Sequence, residues 1–112
     1  MSAAKREEIP PGTLEMLILK TLARNKPLHG FAVAEFILET SSGVLQVEEG
    51  SLYPALHRLE RDKLVKAEWK TTDNRRRARV YALTAAGRKR LGEAQESWTA
   101  LAKGVGRLLR YV

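Results

Sequence analysis

The stretch Glu49-Gly50-Ser51-Leu52-Tyr53-Pro54-Ala55-Leu56-His57-Arg58-Leu59-Glu60-Arg61 decides the fold. Wound as a helix at about 100° per residue, it divides into two chemically distinct faces. Leu52, Ala55, Leu56 and Leu59 fall on one side and form a core stripe. Gly50, Tyr53, Pro54, His57 and Arg61 fall on the other, with Arg58 at the border. That second face mixes flat, hydrogen-bonding and cationic groups with small ones, so it can lie close against another polar surface. Pro54 suits a first helical turn, where no N–H partner is lost, which puts the helix start near Gly50 or Ser51, or else a kink follows an earlier start.

Immediately downstream the period changes. Val65, Ala67 and Trp69 alternate with Lys66, Glu68 and Lys70, the pattern of a half-buried strand. A second strand is expected over 78–83, and the turn between reads Asp73-Asn74-Arg75-Arg76-Arg77, with Arg79 nearby. Upstream, Thr13 is a candidate cap for a helix over 13–23. Leu14, Leu17, Ile18, Thr21 and Leu22 form its core stripe, and Met16, Leu19 and Ala23 a second one. A helix over 30–39 is expected to bury Phe31, Ala34, Ile37 and Leu38 and to end at Ser41-Ser42-Gly43, with a short extended piece at Leu45-Gln46-Val47. Three helices, the third with a readable outer face, followed by a basic hairpin, make a winged helix-turn-helix that binds DNA.

The bulk composition agrees. A chain of 112 residues holds one small domain plus an appendage, and 44% apolar residues build a real core. A formal charge of +7 and a pI near 10.1 favour a polyanionic partner, nucleic acid before anionic membrane. No apolar run approaches a membrane span. The first eleven residues hold Lys5, Arg6, Glu7 and Glu8 and no apolar stretch, unlike a signal peptide. The absence of cysteine removes disulfides and thiolate metal sites. A cytoplasmic protein is expected.

The last helix, capped by Thr84 and running from 85 to the C-terminus, carries a second signal. Leu91, Ala94, Trp98, Leu101, Val105, Leu108 and Val112 alternate in steps of 3 and 4, a heptad seam. Such a helix reaches roughly 40 Å, against a diameter of roughly 30 Å for the remaining domain, so it overhangs. A second copy of the chain is the simplest cover for the seam. Gly104 and Gly106 weaken the helix near its end or let another backbone approach closely.

Four segments together resemble the PadR family of bacterial transcriptional regulators: Leu28-His29-Gly30-Phe31, Gly50-Ser51-Leu52-Tyr53-Pro54-Ala55-Leu56-His57-Arg58-Leu59-Glu60, Arg75-Arg76-Arg77, and Tyr81-Ala82-Leu83-Thr84-Ala85-Ala86-Gly87. The resemblance spans about residues 12–90, and its second segment is the most specific. It implies the short form of the family, a winged helix-turn-helix followed by one dimerising helix. It further implies a dimeric repressor on a roughly palindromic operator, released in many members by a small molecule. Some members take flat apolar compounds between the subunits beside a tryptophan of the last helix, and Trp98 stands in the matching place.

The expected fold is therefore mainly α with a small two-stranded wing (α+β). Residues 1–12 are a flexible arm, 13–83 the DNA-binding domain, and 84–112 the dimerisation helix. The expected DNA contacts are Gly50, Ser51, Tyr53, His57, Arg58 and Arg61 on the third helix and Arg75, Arg76 and Arg77 on the wing. Each has a plainer alternative. Tyr53 contacts phosphate or a base edge, or lies flat on the protein. Ser51 caps the helix, receives a phosphate, or does both. Arg61 reads guanine, binds phosphate, or pairs with Glu60 or Asp62. The arginine turn enters a minor groove or is a solvated turn guarding a sheet edge.

The expected dimer contacts are Met16, Leu19, Leu91, Ala94, Trp98, Leu101, Val105 and Leu108. Trp98 is also the candidate effector residue, as an alternative to plain seam packing. His29 reads as structural. Two histidines without cysteine make no metal site, no cofactor is implied, and no nucleophile–base pair suggests an enzyme. Two other classes compete. An architectural DNA binder would show little sequence preference. A winged protein-interaction module would tolerate charge reversal at the arginine turn.

Overall fold

A computed structural model describes residues 9–71 and 73–110. Its elements run α1 (Pro11–Arg24), β1 (Leu28–His29), α2 (Gly30–Thr40), α3 (Glu49–Arg61), β2 (Val65–Thr71), β3 (Arg77–Leu83) and α4 (Ala85–Arg110). The strands form an antiparallel sheet of order β1-β3-β2, with Leu28 opposite Tyr81, Val65 opposite Leu83 and Thr71 opposite Arg77. The sheet thus has three strands where two were expected. A two-residue strand carries no alternation to read, and β1 exists because β3 offers its second edge to it.

Local chemistry explains where each helix begins and ends. α1 opens at Pro11 rather than at Thr13: Pro10 sits extended at the N-cap, and a proline at the first helical position loses no hydrogen bond. Pro11 and Gly12 therefore belong to the helix and not to the expected arm, of which residues 1–8 lie outside the described residues. His29 caps α2, its Nδ1 accepting the Ala32 N–H at 3.3 Å.

Both α2 and α3 close with a left-handed residue, Ser42 (φ 55°) and Lys63 (φ 61°). In each, crossed bonds return to the last turn, from Gly43 N–H to the Leu38 carbonyl and from Leu64 N–H to the Leu59 carbonyl, which makes both ends Schellman motifs. Thr84 caps α4 as its sequence suggests, its Oγ1 accepting the Gly87 N–H at 3.0 Å.

The core joins Leu14, Ile18, Leu19 and Leu22 of α1 to Val33 and Ile37 of α2 and to Leu52, Ala55, Leu56 and Leu59 of α3; Leu64, Val65, Tyr81 and Leu91 complete it. The inner face of α3 is the one read from the sequence. On α2 the expected face is rotated. Phe31 is 57% exposed, Ala34 and Leu38 are half-buried, and Gly30, Val33 and Ile37 face inward. Gly30 is buried because the Tyr53 ring lies against it, a contact that a tally of apolar residues does not see. Trp69 is likewise 55% exposed instead of buried.

Two expected dimer residues, Leu19 and Leu91, are buried in their own protomer and have nothing left to offer a partner. With Gly87 and Leu91 both buried, the first turns of α4 belong to the winged domain, so residue 84 marks a helix start and not the edge of the core. Among the described residues no helix is long and apolar enough to cross a membrane.

The α3–β2 and β3–α4 junctions are tied together. Thr84 N–H and Oγ1 both donate to the Leu64 carbonyl, at 3.2 and 3.0 Å, and Oγ1 also reaches the Lys63 carbonyl at 2.8 Å. Gly87 stacks on that carbonyl so closely that a Cβ would collide with Leu64 O and lie 2.7 Å from Leu83 Cδ1.

Gly87→Ala should therefore lower stability by about 2 kcal/mol despite the better helix propensity of alanine, which alone is worth about 1 kcal/mol. Gly92→Ala, with nothing within 4 Å, should raise stability by up to about 1 kcal/mol. Urea unfolding midpoints of the two variants check this difference in sign.

Burial pushes the Tyr81 hydroxyl above its ordinary pKa; Arg79 opposes the shift, and Glu60 and Tyr53 add to it. The folded state thus holds this proton longer than the unfolded chain, and the resulting stability is full below pH about 10 and lost as pH rises through the folded value. Tyr81→Phe should flatten the fall of stability as pH rises above about 10, measured against wild type by urea unfolding.

Candidate nucleic-acid interface

The outer face of α3 is open. Gly50, Ser51, Tyr53, Pro54, His57 and Arg61 are all exposed, while the opposite stripe is sealed. Burying Leu52, Leu56 and Leu59 contributes about 1.5–3 kcal/mol each, so the core fixes which face of the helix looks outward.

Gly50 has nothing within 4 Å of where a Cβ would stand, which leaves its backbone approachable. Ser51 does not cap the helix: the N-cap is Glu48, without a side-chain bond, and Ser51 lies in the first turn. Glu49 places a carboxylate in that turn, complementing the helix dipole. Pro54 is not in the first turn but inside the helix, which starts at Glu49. The Tyr53 ring rests on Gly30 of α2 yet remains 45% exposed.

The arginines of this helix differ. Arg58, expected to touch DNA, instead turns its Nε to Glu15 of α1 at 3.1 Å. Both partners are partly solvated, so the pair contributes at most about 1 kcal/mol, but it commits one donor of the guanidinium to α1. Arg61 reaches its neighbour Asp62 at 3.4 Å in an exposed and weak pair.

On the wing, Arg75, Arg76 and Arg77 are exposed at and beside the turn, and Arg75 adopts a left-handed φ of 59°. Arg79 is not a tip residue. It stands opposite Trp69 in the ladder and bonds Glu60 of α3 through Nη2 at 2.7 Å. Its Nε is buried without a partner. The Trp69 ring is flanked by two guanidiniums, Arg77 at 5.0 Å and Arg79 at 5.6 Å. The chain Trp69–Arg79–Glu60 therefore braces the wing against the C-terminal half of α3.

Between α3 and the wing runs an open groove of about 700 Å³, bordered by His29, Gly30, Tyr53, Trp69, Asn74, Arg76, Arg77 and Tyr81. Its walls are aromatic, and its rim carries Arg76, Arg77 and Arg79 beside the single carboxylate of Asp73, a lining suited to a sugar-phosphate strand. His29 and Trp69 were not anticipated here. The alternation of Arg77 and Arg79 across the hairpin from Trp69 was the available signal. Phe31 was not anticipated as an exposed residue either; its ring stacks on that of His29 at 6.5 Å.

On α4, Trp98 (49%), Leu101 (64%), Val105 and Leu108 (74%) are exposed, as is Leu109, which the heptad pattern omits. Ala94 and Met16 are half-buried, and Val112 lies outside the described residues.

The chain matches the model of the PadR-like family of transcriptional regulators over residues 18–93, more than half its length. It is 38% identical over 98 residues to a transcriptional regulator of Mycobacterium tuberculosis, covering 88% of this chain and 87% of that one. A PadR family transcriptional regulator from Eggerthella lenta is 32% identical, with a TM-score of 0.77 over 90% of this chain and 85% of that one. The fold is also shared with a transcriptional regulator from Clostridium thermocellum at a TM-score of 0.80 and 22% identity, over 88% of this chain and 95% of that one. These relatives are regulators and not enzymes, and the chain itself belongs to the PadR-like family of transcriptional regulators.

Proposed function

We propose that this DNA-binding regulator is a sequence-specific, homodimeric, cytoplasmic repressor released by a small apolar or aromatic effector. The observation that carries the reading is the sealed inner face and open outer face of α3 beside an arginine-tipped wing. In this reading α3 enters the major groove with Gly50, Ser51, Tyr53, His57 and Arg61, and Arg75, Arg76 and Arg77 follow the flanking backbone. Arg58 is left out, because Glu15 holds it.

Dimerisation falls to the exposed apolar stripe of α4: Trp98, Leu101, Val105 and Leu108, with Ala94 and Met16 at its edge. A second copy of the same stripe covers it, and two α3 helices then stand about one DNA turn, ~34 Å, or a multiple of it apart. An effector seated against Trp98 changes that distance and lowers operator affinity without touching a DNA contact.

Selection of bound sequences from a random DNA pool should enrich a palindrome of fixed spacing; a pool that converges on nothing defeats the proposal. On the enriched site, reversing Arg75, Arg76 and Arg77 to Glu should weaken binding and flatten the dependence of log K on log salt by about 0.9 per lost phosphate contact. Trp98→Ala should keep operator affinity and lose release by the aromatic compound that frees the wild-type protein.

A further inference from the structure

Gly30 is the first residue of α2, and nothing in its backbone calls for glycine. Its φ is not left-handed, and alanine suits a helix better than glycine does. What stands in the way is one side chain. A Cβ at position 30 would lie 2.8 Å from Tyr53 Cε1 and 3.1 Å from both Cζ and Oη.

The obstacle differs in kind from that at Gly87, where a backbone carbonyl blocks the space. At Gly30 it is the outer edge of a ring that turns about two side-chain bonds. The seat beneath the ring is held from three sides. His29 caps the helix through the Ala32 N–H, its ring stacks on Phe31, and β1 pairs with β3 through Leu28–Tyr81 and His29–Val80. When the two meet, the ring moves and the seat does not.

We infer that Gly30 is a positioning residue for DNA recognition: the missing side chain sets the attitude of the Tyr53 ring, and with it the place of the hydroxyl that faces the operator. This inference rests on the reading of Tyr53 as a DNA contact under Proposed function. A methyl group at position 30 drives the ring edge back by about 0.6 Å before ordinary van der Waals contact is restored. The useful range of a hydrogen bond is only about 0.5 Å wide, so a displacement of that size is enough to lose one. The glycine thus acts on specificity from a neighbouring helix without itself reaching the DNA.

The test is a double-mutant cycle on the full-length protein, using the operator enriched from the random pool. Gly30→Ala should leave the thermal midpoint within a few degrees of wild type, shift the Tyr53 ring resonances of the free protein, and weaken operator binding about tenfold. In a Tyr53→Ala background the same substitution should cost less than about twofold, because no ring remains to displace. An equal loss in both backgrounds would show that the glycine acts through the fold of α2 and would overturn the inference. Unmoved ring resonances overturn it as well, without reference to DNA. Ring resonances that move while operator affinity and preference stay unchanged remove Tyr53 from the DNA contacts, and the inference with it. If Gly30→Ala alone does not fold, the double variant should fold, since it relieves the same collision; failure of the double variant counts against the inference. Absence of any enriched sequence with wild-type protein defeats the repressor reading instead, and the ring shift in free protein still tests the seat.

Discussion

Leu64 holds the molecule together at a single residue. Its N–H closes α3, its side chain enters the core, and its carbonyl receives both the N–H and the hydroxyl of Thr84. One peptide unit therefore fixes where the third helix stops, where the sheet begins, and the direction in which α4 departs. Gly87 lies directly over that carbonyl, so the approach of α4 leaves no room for a side chain. A helix of 26 residues, about 39 Å long, leaves the domain from this anchor. The placement of its exposed stripe relative to α3 is inherited from a few hydrogen bonds at its base.

Above that anchor, carboxylates sort the cations of the domain. Glu15 takes Arg58 and Glu60 takes Arg79, each pairing across elements and each half-solvated. Neither pair matters much for stability beside the buried leucines of α3, which outweigh them severalfold. Their consequence is spatial. Arg58, one of the expected DNA contacts, and Arg79 both act as struts, one bracing α3 against α1 and one bracing the wing against α3. Exposed arginines remain at the wing turn, which borders the aromatic groove, and at Arg61.

Features written within a few residues were legible in the sequence. The inner face of α3, the cap at Thr84 and the end of α2 at Ser41-Ser42-Gly43 depend on neighbours a few positions away. Features that depend on distant chain were not. Arg58 meets Glu15 across 43 residues, and no periodicity announces that. Gly30 is covered by Tyr53 from another helix, and Val33 rather than Phe31 faces the core. Leu19 and Leu91 read as seam residues because an apolar repeat does not say which of its members the protomer itself will cover. On the outer face of α3, the exposure of Gly50, Ser51, Tyr53, His57 and Arg61 was legible, and the pairing of Arg58 with Glu15 was not.

Pro54 gives α3 a mechanical asymmetry. At the sixth position of the helix it has no N–H to return to the Gly50 carbonyl, so the first turn is joined to the rest by one rung fewer. Beyond it, the sealed leucine stripe makes the helix stiff. Before it lies the turn that carries Gly50, Ser51 and Tyr53 outward and Leu52 into the core, so that turn is held by the burial of Leu52 rather than by a full ladder. The proline confines the missing rung to the segment of α3 whose outer residues, Gly50, Ser51 and Tyr53, are exposed.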